Sequence, residues 1–372
     1  MTNRCEKLFA VVSPGLEAAC ASELTGLGFD EVQVVPGGVE FSGGLREIYL
    51  ANLWLRSAGR VLVRFGEIRC RDFPTLYQKA LRLPWGRYLK TETRLQVRVV
   101  SRQSRLQHTG RIAETLQQAV DRALGRTAMA EDPAATHQLL IARLEDDCCH
   151  LSLDSSGELL HRRGYREDVG PAPMRETLAA GILQLLGWDG STSLVDPMCG
   201  SGTFPIEGAL LAEGRPPGRN RLFSFMAWPR YRPGLWQVLV EEAERTRKAR
   251  SPLIVGSDRD GQVLAAARRN AERAEVGSRL HFREVDLADL AGFDKPGLVL
   301  CNPPYGARLG SNKDLVPLYR RIGQVYQNVF AGWRGALICP DPHLAAATGL
   351  PLRQSALLNN GGIRVGLWVT DL

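Results

Sequence analysis

The residues with the most specific chemical use in this 372-residue chain are Asn302-Pro303-Pro304-Tyr305. The Asn302 side-chain oxygen and a main-chain carbonyl of the Pro-Pro unit are both hydrogen-bond acceptors. Two acceptors converging on an aryl NH2 would hold its nitrogen and leave the lone pair directed at an electrophile. Each proline fixes φ and lacks an N–H, so the carbonyls stay where the turn puts them. Tyr305 offers a face on which a planar base can stack. The preceding run, Gly297-Leu298-Val299-Leu300-Cys301, reads as a buried strand that delivers this turn to the edge of a sheet. The same letters also suit an ordinary proline-rich loop with Asn302 as turn former. A second motif decides between the two.

That motif is Ser193-Leu194-Val195-Asp196-Pro197-Met198-Cys199-Gly200-Ser201-Gly202-Thr203, followed by a helical pattern from Phe204 to Glu213. An apolar strand entering a glycine turn that opens a helix is the nucleotide-binding βα element of doubly wound sheets. The spacing is not G-x-G-x-x-G and no Gly-Lys-Ser/Thr follows, which disfavours a pyrophosphate cradle. Asp196 points the same way, because a carboxylate suits a cationic amino-acid group such as that of S-adenosylmethionine. Two more acids follow at predicted strand ends. Asp258 closes Pro252 to Asp258, where a carboxylate can take ribose hydroxyls. Asp286 closes Leu280 to Asp286 and could accept from an adenine amine. Any one of the three would pass as a helix N-cap; three in register with the Asn-Pro-Pro-Tyr turn are harder to explain as caps.

On these residues the C-terminal half resembles class I S-adenosylmethionine-dependent methyltransferases of the amino-methylating kind. Leu160-His161-Arg162-Arg163-Gly164-Tyr165-Arg166, Ala172 to Ala180 and Asp196 to Thr203 are similar to THUMP-domain RNA methyltransferases, most of all the bacterial large-subunit rRNA guanine-N2 enzymes. The resemblance runs from Leu8 to near the C-terminus. It implies an α/β fold in which a Rossmann-like seven-stranded sheet is preceded by an α+β ferredoxin-like unit and a THUMP domain. The expected divisions are 1–60 (ferredoxin-like), 61–156 (THUMP), 157–173 (linker) and 174–372 (catalytic). It also implies S-adenosylmethionine as cofactor, held by Asp196, Pro197, Cys199, Gly200, Ser201, Gly202, Thr203, Asp258, Asp286 and Asn302. Asn302, Pro303, Pro304 and Tyr305 form the expected catalytic set, and Glu176 at the next helix start is a weaker candidate. Some relatives carry a second methyltransferase domain downstream; ending at Leu372, this chain is expected to have one activity.

The N-terminal half alternates strand and helix patterns as a small α+β unit should. Its most informative stretch is Arg94 to Arg111. Arg98 lies on one face of an alternating strand, and Arg102 and Arg105 sit in a Ser/Arg-rich loop before a helix, a seat for RNA phosphate or a solvated basic face. Gly157 to Leu160 reads as a turn and a short strand. In the linker, Arg162, Arg163 and Arg166 either track the RNA backbone or clip the two halves together. Residues 214–251 interleave Arg215, Arg219, Arg221, Arg230 and Arg232 with Phe223, Phe225, Trp228, Tyr231 and Trp236. That pattern fits either base stacking or a packed flap.

A net charge of +7 and a pI near 9.1 suit a polyanionic partner. The predicted partner is RNA, above all 23S rRNA or the assembling large subunit, with the protein itself a monomer. The eight cysteines lack C-x-x-C spacing and the six histidines lack ligand spacing, so a metal site is not expected. No apolar run approaches twenty residues, and the N-terminal residues are polar. A cytoplasmic protein without membrane span or signal peptide is therefore predicted. The rival functions are tRNA guanine-N2 methylation, adenine-N6 methylation of RNA or DNA, and a non-enzymatic RNA-binding assembly factor. No general base stands out.

Overall fold

A computed structural model describes residues 5–126, 137–167, 174–248, 250–290, 292–293, 295–305 and 312–372. Residues 168–173 of the expected linker lie outside them. The N-terminal elements are β1 (Glu6–Val12), α1 (Glu17–Gly26), β2 (Gln33–Val35), β3 (Gly38–Gly43), α2 (Leu45–Trp54), β4 (Ala58–Arg69), α3 (Phe73–Leu81), β5 (Arg94–Arg102), α4 (Thr109–Ala123), β6 (His137–Glu145) and β7 (Cys148–Asp154). They build one seven-stranded sheet of order β2-β3-β1-β4-β7-β6-β5. The boundary expected at residue 60 falls within β4. That strand is twelve residues long, so it pairs with β1 through residues 58–64 and with β7 through residues 62–69. The strand expected at Gly157–Leu160 is a turn. Asp154 accepts from the Ser156 and Gly157 amides and pairs with Arg60, which also takes the Gly157 carbonyl, so the chain is bent away from the sheet.

The C-terminal elements are α5 (Glu176–Leu185), β8 (Ser193–Asp196), α6 (Thr203–Ala212), α7 (Pro233–Arg245), β9 (Ile254–Asp258), α8 (Gly261–Arg273), β10 (Leu280–Glu284), β11 (Gly297–Cys301), α9 (Asn312–Val329), β12 (Arg334–Cys339), α10 (Pro342–Ala347), β13 (Arg353–Asn360) and β14 (Ile363–Asp371). Their sheet has the order β10-β9-β8-β11-β12-β14-β13. β8 to β12 are parallel and read as unbroken apolar runs because helices cover both faces. β14 returns antiparallel against β12, and β13 pairs with β14 as a hairpin. This is the α/β arrangement of class I methyltransferases.

The segment between α6 and α7 joins the two halves. Phe223, Phe225 and Trp228 are buried, and Phe225 stacks on Tyr49 with ring centroids 4.4 Å apart. The Trp228 indole N–H donates to Gln138 Oε1 at 2.7 Å, and Arg230 makes two 2.6 Å bonds to the Glu6 carboxylate. Arg215 and Arg219 pair with Glu213, Glu244 and Glu275, while Arg221 donates to the carbonyls of Glu158 and Leu159. The interleaved cations and aromatics therefore form an internal staple rather than a base-stacking strip. No helix among the described residues is long and apolar enough to cross a membrane, and all eight cysteines are free thiols.

Candidate active site

Parallel register brings four strand ends to one rim. Asp196 lies opposite Gly256, Glu284 opposite Asp258, and Val299 opposite Val195. From β8 the chain runs outward to β9 and β10, then returns to β11 on the other side. The crevice between β8 and β11 is thus the switch point at which open α/β sheets bind ligands. Asp196 ends β8 on one side of it, and Asn302 follows Cys301 of β11 on the other.

The glycine loop leaves β8 in a conformation its glycines require. Gly200 and Gly202 have φ of +53° and +83°, a region that L side chains avoid. A Cβ on Gly202 would also lie 3.0 Å from the Ala267 Cβ and 3.2 Å from the Phe282 ring, whereas one on Gly200 would meet open space. The loop is tied down by Cys199 N–H to Ser257 O at 2.9 Å, by Gly202 N–H to Cys199 O at 2.9 Å and by Asn270 Nδ2 to Ser201 O at 3.3 Å. Its backbone therefore forms a rigid floor that is open above Gly200.

Asp196 is 2 % exposed and accepts from the Met198 amide at 3.1 Å. Burial, reinforced by the charge of Asp258 and only partly offset by the Met198 amide, pushes its carboxyl up to about 8. A carboxyl so deprived of water gains from a cationic ligand. Asp258 holds the loop: Oδ2 accepts from Gly200 N–H at 3.0 Å and Oδ1 from Asp260 N–H at 3.1 Å. An ionised carboxylate offers about four acceptor sites, so capacity for ribose hydroxyls remains. Asp286 differs from the expectation. β10 stops at Glu284, and Asp286 is an exposed residue whose Oδ1 caps a short turn by accepting from Ala288 N–H at 3.0 Å. Burial drives the Cys199 thiol far above its ordinary value, so it packs the loop without being reactive.

Across the crevice, Asn302 Oδ1 is buried and has no hydrogen-bond partner among the described residues. A buried acceptor left unmade costs about 1–3 kcal/mol, so such an atom at a rim marks a place for a donor. Pro303 is buried and Pro304 half-buried. Tyr305 is also half-buried, and its hydroxyl accepts from Asn360 Nδ2 at 2.6 Å. An NH2 group docked at Asn302 and a cation docked at Asp196 would meet within one crevice.

The linker arginines part company. Arg162 is exposed and bonded to Glu158 at 3.1 Å. Arg163 is buried, donating to Glu207 Oε1 at 2.9 Å and to the carbonyls of Arg56 and Leu160, so it clips the halves together and presents nothing to RNA. Arg166 is likewise turned inward, to Thr203 Oγ1 at 2.6 Å, Met174 O at 2.7 Å and Glu176 at 3.2 Å. Burial and the guanidiniums of Arg175, Arg162, Arg163 and Arg166 hold the His161 imidazole down to about 4, a measure of the cationic field here. Arg98, Arg102 and Arg105 are exposed as expected. The N-terminus of α4 is closed, however, by His108 Nδ1 accepting from Arg111 N–H at 3.1 Å.

Two buried acids behind the loop were not singled out as site residues. Glu207 accepts from Arg163 and from the Tyr165 hydroxyl at 3.0 Å, and Glu176 Oε2 has no partner among the described residues. Burial raises the Glu176 carboxyl against the pull of Arg166. Glu207 is legible in hindsight as the lone charge in the apolar run Thr203–Ala212. Among the described residues the one grouping with metal-ligand spacing is Glu67, Cys148 and His150, on the other sheet.

Comparison with known proteins agrees with this geometry. Residues 163–363 match the RMKL-like methyltransferase domain, and residues 7–62 match the ferredoxin-like domain of the same group. A putative RNA methyltransferase of Synechocystis sp. is 35 % identical, with 95 % of this chain and 94 % of the relative covered. The ribosomal RNA large subunit methyltransferase K/L of Methylococcus capsulatus is 37 % identical over 98 % of this chain, which spans only 51 % of that relative's length. A solved putative methyltransferase in complex with S-adenosylhomocysteine superposes with a TM-score of 0.90 at 30 % identity, covering 99 % of this chain and 98 % of that one.

Proposed function

The chain belongs to the RMKL-like methyltransferase family, and from that premise we propose that it methylates the exocyclic N2 amine of a guanine in 23S rRNA. The cofactor is S-adenosylmethionine, which supplies an electrophilic methyl group on a sulfonium. The observation that carries the proposal is the buried, partnerless Asn302 Oδ1 at the switch point facing Asp196. An aryl amine supplies the donor that this oxygen lacks, and the Pro303 carbonyl takes a second amine hydrogen. Held by two acceptors, the nitrogen turns more tetrahedral and its lone pair faces Asp196's side of the crevice. Tyr305 stacks on the base. Asp196 would take the cofactor's ammonium, Asp258 the ribose and the rim beside Asp286 the adenine, above the floor formed by Pro197 to Thr203.

The target base must leave its stack to reach the rim, at a cost of a few kcal/mol that is least where it is already unpaired. Orientation then contributes most of the rate, because two reactants fixed in one crevice react as an effectively unimolecular pair. Large-subunit RNA as substrate is favoured by the printed names of the K/L relatives, and guanine by the likeness of Leu160–Arg166 and Asp196–Thr203 to guanine-N2 enzymes. The exposed Arg98, Arg102, Arg105 and Arg162 are the proposed phosphate contacts.

The test is Asn302→Ala. Turnover on unmodified 23S rRNA should fall by roughly a hundred- to thousandfold, the loss seen when one oriented polar group is removed from a transition state. The calorimetric Kd for S-adenosylhomocysteine should stay within a few-fold. Loss of cofactor binding with turnover intact at saturation would remove Asn302 from the amine site.

A further inference from the structure

The β13–β14 hairpin reaches the rim from the far end of the sheet. β14 starts on the carboxyl side of β12: Cys339, the last residue of β12, pairs with Gly366, leaving Ile363 three residues further out. At strand rise that is about 10 Å of hairpin standing beyond the rim. The tip is stiff. Gly361 and Gly362 have φ of +61° and +94°, and Asn359 Oδ1 accepts from Gly362 N–H at 2.8 Å. At the other side the hairpin leans on the N-terminal half, where a Cβ on Gly15 would collide with the Leu357 carbonyl and lie 2.8 Å from Leu358 Cδ2. Asn360 pairs across the tip with Ile363 and alternates onto the face of the buried Leu358. From there its Nδ2 donates to the Tyr305 hydroxyl at 2.6 Å.

We infer that Asn360 is a positioning residue that presets the Tyr305 ring for the incoming base. This rests on the reading that Tyr305 is the stacking platform. The two prolines fix the backbone leading into Tyr305 but leave its own side-chain torsions free. A ring free to rotate would lose that freedom when a base docks, a cost of the usual order for one immobilised side chain. The bond from Asn360 fixes the ring through its far end, leaving the face available. Because the hairpin also abuts the loop at Gly15, the ring is referenced to the half of the molecule that carries the exposed basic strand.

The experiment is a double-mutant cycle on the full chain, using total RNA from cells lacking the gene and saturating labelled S-adenosylmethionine under single-turnover conditions. Asn360→Ala should lower the rate about tenfold, the worth of one well-made hydrogen bond, with the Kd for S-adenosylhomocysteine within twofold. Tyr305→Phe keeps the ring and removes the same bond from its other end, so it should show a similar loss. The double variant should be no slower than either single one. Losses that multiply, or a wild-type rate in Asn360→Ala, would overturn the inference. Should Asn360→Ala fold poorly, a wild-type rate in Tyr305→Phe overturns it equally. Tyr305→Ala separates the underlying reading: a wild-type rate there removes the stacking role itself, whereas a large loss there with additive effects elsewhere removes only the role of Asn360.

Discussion

At the scale of single residues, the site is defined by polar atoms that the fold leaves in deficit. Asn302 Oδ1 lacks a donor, and Asp196 is an acid held from water with its carboxyl up near 8. The second has a consequence for stability. An unfolded Asp ionises near 3.9, so between about pH 4 and pH 8 the unfolded chain releases a proton that the folded one keeps. Rising pH across that window therefore favours unfolding, and above about 8 the loss is complete. Asp196→Asn removes the effect, so its melting temperature without cofactor should exceed wild type by a margin that widens from pH 5 to pH 8 and then holds. A margin independent of pH, read by calorimetry, would show that Asp196 is not strained by burial. Both residues were legible in the sequence because each sits in a short motif at the end of an apolar run. Arg163 and Arg166 were not: residue type gives charge, and only the packed structure shows a guanidinium facing inward to Glu207 or Thr203.

At the scale of elements, strand ends and the glycine turn do the positioning. Gly202 combines a φ of +83° with Ala267 and Phe282 against its missing Cβ. Gly202→Ala should thus cost about 1–3 kcal/mol and loosen cofactor binding several-fold, measured by denaturant titration and calorimetry; wild-type values in both would mean the turn relaxes freely. The parallel strands were readable because continuous apolar runs bounded by turn residues have few alternatives. Asp286 shows the limit of that reading. Apolar patterning could not tell a strand continuing to 286 from one ending at Glu284 with an Asp cap after it. The reach of the β13–β14 hairpin was also illegible, since register with β12 depends on pairing between distant segments.

At the scale of the whole molecule, two seven-stranded sheets are held as one body by the staple between α6 and α7. Phe225 is fully buried between Tyr49 and Phe223, so Phe225→Ala should lower stability by about 3–5 kcal/mol. An unchanged denaturation midpoint would mean that the halves are joined elsewhere. The staple's composition had admitted both a stacking strip and a packed flap, and only the location of its partners, Tyr49, Gln138 and Glu6, decides. On the opposite side of the N-terminal sheet, Arg98 and Arg102 project outward from edge strand β5. Their double replacement by Ala should reduce the salt dependence of RNA binding by roughly one unit of slope per arginine, and an unchanged slope would leave that strand without RNA. The central claim concerns what this arrangement does. The direct measurement is incorporation of labelled methyl from S-adenosylmethionine into unmodified 23S rRNA, followed by digestion and mass-spectrometric identification of the nucleoside. N2-methylguanosine with wild type, and none with Asn302→Ala, is the result predicted. Label on any other nucleoside, or none at all with wild-type protein, would contradict it.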